Sequence, residues 1–215
     1  MKLEQLILFN FFISIYSFNL RESKQSYDSY VFALQWPNGL CSTFNCQNKL
    51  DKIKKSTFTI HGLWPTLING KQLRDCTSGV TIKIKNSELS HKMNKYWMSF
   101  QSNNEQFWTH EYNKHGYCMV EEKNWNNYEN YFISVINLYK NYKNLIQRAF
   151  PNQTASYTYE EMIEKIRKVI PNATFRLNCK SGVITEFLFF LNKNFEPSTK
   201  SRFKNLCKSG QIIFK

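Results

Sequence analysis

A chain of 215 residues with 42% hydrophobic and 16% aromatic content is too apolar for a disordered protein and too short for two well-buried cores, so one domain is expected. Its 29 Lys and Arg outnumber 16 Asp and Glu, for a formal net charge of +13, and the basic residues are spread along the chain. Such a field favours polyanions, whether RNA, DNA, anionic glycans or acidic membrane surfaces, without choosing among them.

At the N-terminus, Lys2 precedes the apolar run Leu6–Phe18, which is too short to span a bilayer and has the form of a signal-peptide h-region. Residues 1–17 are expected to be removed near Ser17. Residues 18–215 then form one domain that enters the secretory pathway, bound for the extracellular space or a lysosomal or vacuolar compartment. No later segment reaches membrane-spanning length, so no membrane attachment is expected once the leader is gone. Six cysteines in an oxidising compartment imply disulfides, although counting does not say which pair with which.

Polar Arg21–Asp28 reads as a flexible start, and the near-continuous apolar run Tyr30–Trp36 as a buried strand. Pro37-Asn-Gly39 ends it with turn residues. Cys41 and Cys46 lie close enough to staple a small loop beside that strand. A second strand is expected over 56–64, stopped by Pro65. In it Phe58 and Ile60 face one way, and His61 is aimed the other way, off the core.

Leu89, Met93, Tyr96, Trp97 and Phe100 recur at helical spacing, and His91 falls off that stripe as a surface residue without a role. A helix at about 105–117 follows. A long helix over Trp125–Ala149 carries Tyr128, Tyr131, Phe132, Val135, Leu138, Tyr139, Tyr142 and Leu145, a core stripe in preference to a base-stacking platform. Thr158 with Glu161 forms a capping-box signature before Met162, Ile163, Ile166, Val169 and Ile170, and Pro171 closes that helix. The sequons at Asn152 and Asn172 fall just beyond helix ends, where glycans are accommodated. Strands are expected at Thr174–Cys179, Val183–Leu191 and Gln211–Phe214. Helices in the middle with strands at both ends argue an α+β fold.

The chemistry concentrates in Phe107–Cys118, FWTHEYNKHGYC, which packs two of the four histidines, a glutamate and a lysine into six residues. On a helix, His110, Lys114, Glu111 and His115 fall at roughly 0°, 40°, 100° and 140° around the axis. Groups so crowded perturb each other's proton affinities, as catalytic groups do. A zinc site of the HExxH type is excluded, because the second histidine would stand at position 114, which is lysine. A secreted basic protein that only binds RNA or glycans would explain the charge and the cysteines, but not this set together with His61.

The segments FTIHGLWP (Phe58–Pro65) and HEYNKHGYC (His110–Cys118) resemble, in order, the paired active-site segments of the RNase T2 family of secreted ribonucleases, and Phe32–Pro37 resembles that family's first strand. The resemblance implies a single disulfide-stapled domain with a central antiparallel sheet and packed helices. It also implies a monomer that acts on RNA without metal or other cofactor, cleaving through a 2′,3′-cyclic phosphate and then hydrolysing it. By the same resemblance His115 is the base and His61 the acid, His110 holds the phosphate, and Glu111 with Lys114 stabilises the transition state. Trp64 would stack on a base, and Thr66 and Gln35 would read base edges. The implied bridges are Cys41–Cys46, Cys76–Cys118 and Cys179–Cys207. Thr66 stands where relatives commonly have Asp or Asn, and a hydroxyl that both donates and accepts implies shallow base preference.

Overall fold

The structure, a computed structural model, describes residues 26–214 apart from 44, 47–56, 68, 77–78, 122, 124, 126, 153–154, 200–205 and 208–209. The expected leader at 1–17 lies outside the described residues. Strand β1 (Ser29–Gln35) pairs antiparallel with β2 (Thr59–Thr66) on one side and with β5 (Val183–Asn192) on the other; β5 pairs in turn with β4 (Phe175–Lys180). To this antiparallel sheet β6 (Ile212–Ile213) adds one parallel pair with β5, and β3 (Ser156–Tyr157) pairs with β6.

Both faces of β1 are covered, which is why its sequence is a nearly unbroken apolar run. On one face Tyr30, Phe32 and Leu34 join Phe187, Phe189 and Leu191 beneath helix α4 (Tyr128–Ala149). The aromatic stripe of α4 is core, as its spacing indicates: the Tyr142 ring lies 4.9 Å from Phe189, and the Tyr139 hydroxyl donates to the Phe58 carbonyl at 2.5 Å. Burying each such side chain contributes roughly 1.5–3 kcal/mol. On the opposite face Val31, Ala33, Leu188 and Phe190 pack with Trp64, and strand alternation puts Gln35 and Glu186 on that same face.

Local chemistry explains the ends of the elements, and in several places moves them from where the sequence pattern puts them. Pro37 does not close a turn; it opens the short helix α1 (Pro37–Cys41), a position where its missing N–H costs nothing. Strand β2 runs through Pro65 to Thr66. Proline is tolerated there because β2 lies at the sheet edge. Helix α2 (Ser87–Tyr96), capped by Asn86, stops before Trp97, whose indole N–H instead donates to the His61 carbonyl at 2.8 Å. His91 is exposed on α2. Helix α5 (Tyr159–Val169) begins with the Thr158/Glu161 capping box expected of it.

Three disulfides join Cys41 to Cys46, Cys76 to Cys118 and Cys179 to Cys207, the pairing the resemblance implies. The second closes a 42-residue separation. In a chain-entropy account such a link removes about 4 kcal/mol of freedom from the unfolded state.

Candidate active site

His61 reaches the site through an irregularity in the sheet. In the β1–β2 ladder Ala33 is opposite Gly62 and Leu34 is opposite Ile60, so His61 is the extra, bulged residue. A bulge re-aims its side chain and is common beside active sites. Ile60 and Leu63 both enter the core, a parity that a regular strand would not allow. Gly62 follows because nothing larger fits: a Cβ there would overlap the Glu111 carboxylate and the Trp64 indole nitrogen.

Helix α3 (Asn104–Lys114), capped by the Asn103 side chain, carries the other half of the site. It is shorter than the expected 105–117. His115 lies outside it with φ −128° and ψ −51°, and a 3-10 turn continues over Gly116–Met119. The break has a packing cause. Gly116 is pressed against the rings of Tyr112 and Tyr131, where a side chain would come within 2.9 Å of Tyr112. His115 therefore does not share a helical arc with His110, Glu111 and Lys114. It turns inward and is buried, and its ring lies 5.3 Å from that of Trp64.

Trp64 stands between the two histidines, with the His61 ring edge-on at 4.9 Å. Its N–H donates to Glu111 Oε2 at 2.8 Å, and Glu111 Oε1 lies 3.6 Å from His61 Nε2. Trp64 is only 7% exposed, so the expected base-stacking platform is a packed wall that aims Glu111. Thr66 departs further from expectation. It is 1% exposed and its hydroxyl donates to the Trp64 carbonyl at 3.0 Å, which leaves it inside the sheet edge instead of on a base-reading surface.

The two imidazoles are held in opposite states. Burial disfavours the charged form of His115, and the neighbouring Lys114 ammonium adds to that, so its pKa falls to about 3 despite the Leu73 carbonyl. That carbonyl can only accept, so Nδ1 carries the proton at 3.3 Å and the neutral ring keeps its lone pair on Nε2. Burial also opposes charge on His61, but the carboxylates of Glu186 and then Glu111 outweigh it and raise the pKa to about 9. Glu111 itself is pushed up by burial, which the charge of His61 and the Trp64 hydrogen bond only partly offset.

His110 is exposed, and with Lys114 it lines a shallow groove that also includes Asp75, Thr109 and Asn113. His110 and Lys114 are near enough to act on the central groups by charge: His110 on Glu111 and His115, Lys114 on both His61 and His115. On the other side of His61 a cleft is lined by Gln35, Phe100, Phe107, Asn178 and Glu186. Gln35 Oε1 and Asn178 Oδ1 are buried there without a hydrogen-bond partner among the described residues. Sequence reasoning missed Glu186, although a lone carboxylate in the apolar strand VITEFLFFLN was a usable signal.

The site thus sets two imidazoles on either side of Trp64 and a buried carboxylate, in surroundings that raise the proton affinity of His61 and lower that of His115. The Ribonuclease T2 family model matches residues 27–203. The chain belongs to that family. It is 42% identical over 94 residues to ribonuclease MC of Momordica charantia, a match covering 43% of this chain and 48% of that protein. With ribonuclease DdI of Dictyostelium discoideum it shares 28% over 174 residues, 78% of this chain and 75% of that one. The solved ribonuclease MC1 from bitter gourd seeds superposes with a TM-score of 0.70 at 26% identity, over 87% of this chain and 100% of that structure. The chain thus spans about half the length of the first of these curated relatives and three quarters of the second.

Proposed function

We propose that this protein is an endoribonuclease that cleaves single-stranded RNA by metal-independent acid–base transphosphorylation. One observation carries the reading: His61 and His115 flank Trp64 and the buried Glu111, in surroundings that raise the proton affinity of the first and lower that of the second. Two groups whose environments push their proton affinities apart are the acid and the base of such a reaction. His115 Nε2 takes the proton of the 2′-hydroxyl, and the 2′-oxygen attacks phosphorus. His61 delivers the Nε2 proton to the departing 5′-oxygen, which leaves a 2′,3′-cyclic phosphate. Water then opens the ring with the two roles exchanged, giving a 3′-phosphate. Lys114, His110 and Glu111 surround the crowded phosphorane, where positioned charge is worth most.

Gln35 lines the cleft beside His61, and its buried Oε1 has no partner among the described residues, so a base would reach it only by entering that cleft. With Trp64 covered and Thr66 occupied, base preference is shallow. The protein acts as a monomer in the secretory pathway or an acidic compartment, with residues 18–215 as its mature domain and glycans on Asn152 and Asn172.

The test is an assay on tRNA and on a 2′-deoxy analogue, with and without EDTA. Cyclic phosphate products from RNA, unchanged by the chelator, with the deoxy analogue intact, support the reading. Loss of cleavage in EDTA, or cutting of the deoxy analogue at a comparable rate, overturns it.

A further inference from the structure

A row of polar side chains crosses the sheet on the face that carries His61. Gln35 on β1 lies opposite Glu186 on β5, and Glu186 lies opposite Asn178 on β4. The bulged His61 of β2 reaches over β1 to meet them. Glu186 accepts from His61 Nδ1 at 2.5 Å through Oε1 and from Asn178 Nδ2 at 2.6 Å through Oε2. Both oxygens are engaged, and the side chain is 14% exposed.

A carboxylate is costly in a largely covered strand unless a partner compensates it. Joining β4 to β5 does not require one, because the backbone ladder does that and an amide would bond Asn178 as well. What a carboxylate adds is charge at His61 Nδ1. With Nδ1 tied to Glu186, the opposite nitrogen Nε2 is left facing Glu111 at 3.6 Å. Of the two carboxylates Glu186 is nearer, and Glu111 is already taken by Trp64.

We propose that Glu186 is the positioning residue of the acid histidine: by holding Nδ1 it fixes the His61 ring with Nε2–H turned toward Glu111, and its carboxylate sets the charge beside that ring. Glu186 itself touches no substrate. The other charged groups around the pair are Glu111, His110 and Lys114 from α3 and Arg176 from β4. Arg176 faces Glu186 and helps to hold its carboxyl below the usual range against burial, alongside His61 and Asn178. Lys114 opposes charge on His61 without overcoming it.

The inference rests on the ribonuclease reading above, so the experiment reads both. The variant is Glu186→Gln, which keeps an acceptor and removes the charge. The measurements are the kcat/KM profile on RNA and the NMR titration of the His61 imidazole. The alkaline limb is expected to move down by at least about one pH unit, so that activity near pH 8 falls roughly twofold for a shift of one unit and about tenfold for two, while activity near pH 5 stays about the same. Glu186→Asp should restore part of the shift. If Glu186→Gln does not fold, the unmutated protein decides: an imidazolium persisting at about pH 8 supports the proposal, and a neutral His61 there overturns it. An unmoved limb and an unmoved His61 titration in the variant also overturn it. A wild-type protein that cleaves no RNA would instead sink the ribonuclease reading, and the NMR titration would still judge Glu186.

Discussion

The Trp64 indole donates to Glu111 at 2.8 Å directly above Gly62, with no room for a methyl group beneath them. The carboxylate and the indole are therefore aimed by a missing side chain. Gly62→Ala should leave the fold in place and displace Glu111 and Trp64. Misplacement by about 1 Å can cost roughly 10²-fold, and that loss is expected in kcat on RNA, with thermal unfolding measured alongside. Near-wild-type kcat would mean that the position of Glu111 does not matter to the reaction.

The opposed histidines predict the shape of the pH profile. Activity needs neutral His115 and charged His61, so kcat/KM should rise through about 3 and fall through about 9, with a broad top between the limbs. His61→Ala and His115→Ala should each cost roughly 10²–10⁴-fold, and His110→Ala less, because it stands at the exposed rim. A narrow optimum centred on the ordinary imidazole value would show that the protein does not separate the two.

Stability should follow pH through the same residues, with opposite signs. The pKa of His115 is lowered on folding, so its contribution is present above the unfolded value near 6.5 and is lost as pH falls through about 3. The pKa of His61 is raised, so its contribution is complete below 6.5 and is lost as pH rises through about 9. Thermal melts across pH should show His115→Asn flattening the decline on the acid side and His61→Asn flattening it on the alkaline side. Parallel curves for wild type and variants would refute this.

Thr66→Asp should destabilise the protein and leave its base preference unchanged. The hydroxyl is buried against the Trp64 carbonyl. A carboxylate there would be buried beside an acceptor, at a cost of about 3 kcal/mol, the upper range for single substitutions. Chemical denaturation and a dinucleoside phosphate panel check both halves. A stable variant with sharpened preference would return Thr66 to the base site.

The α+β class, the capping box of α5, the core stripe of α4 and the residue types of the site were legible in the chain because each is a short-range pattern. Periodicity, capping residues and motif spacing act within a few turns or one strand. The tertiary structure alone decided which of those residues meet, and in what state. It bulged β2 at His61, ended α3 before His115 because Gly116 abuts Tyr112 and Tyr131, and turned Thr66 inward. It also brought Glu186 to His61 across 125 residues of sequence. Proton affinity depends on burial and on charges a few ångströms away, and those distances exist only once the strands have paired.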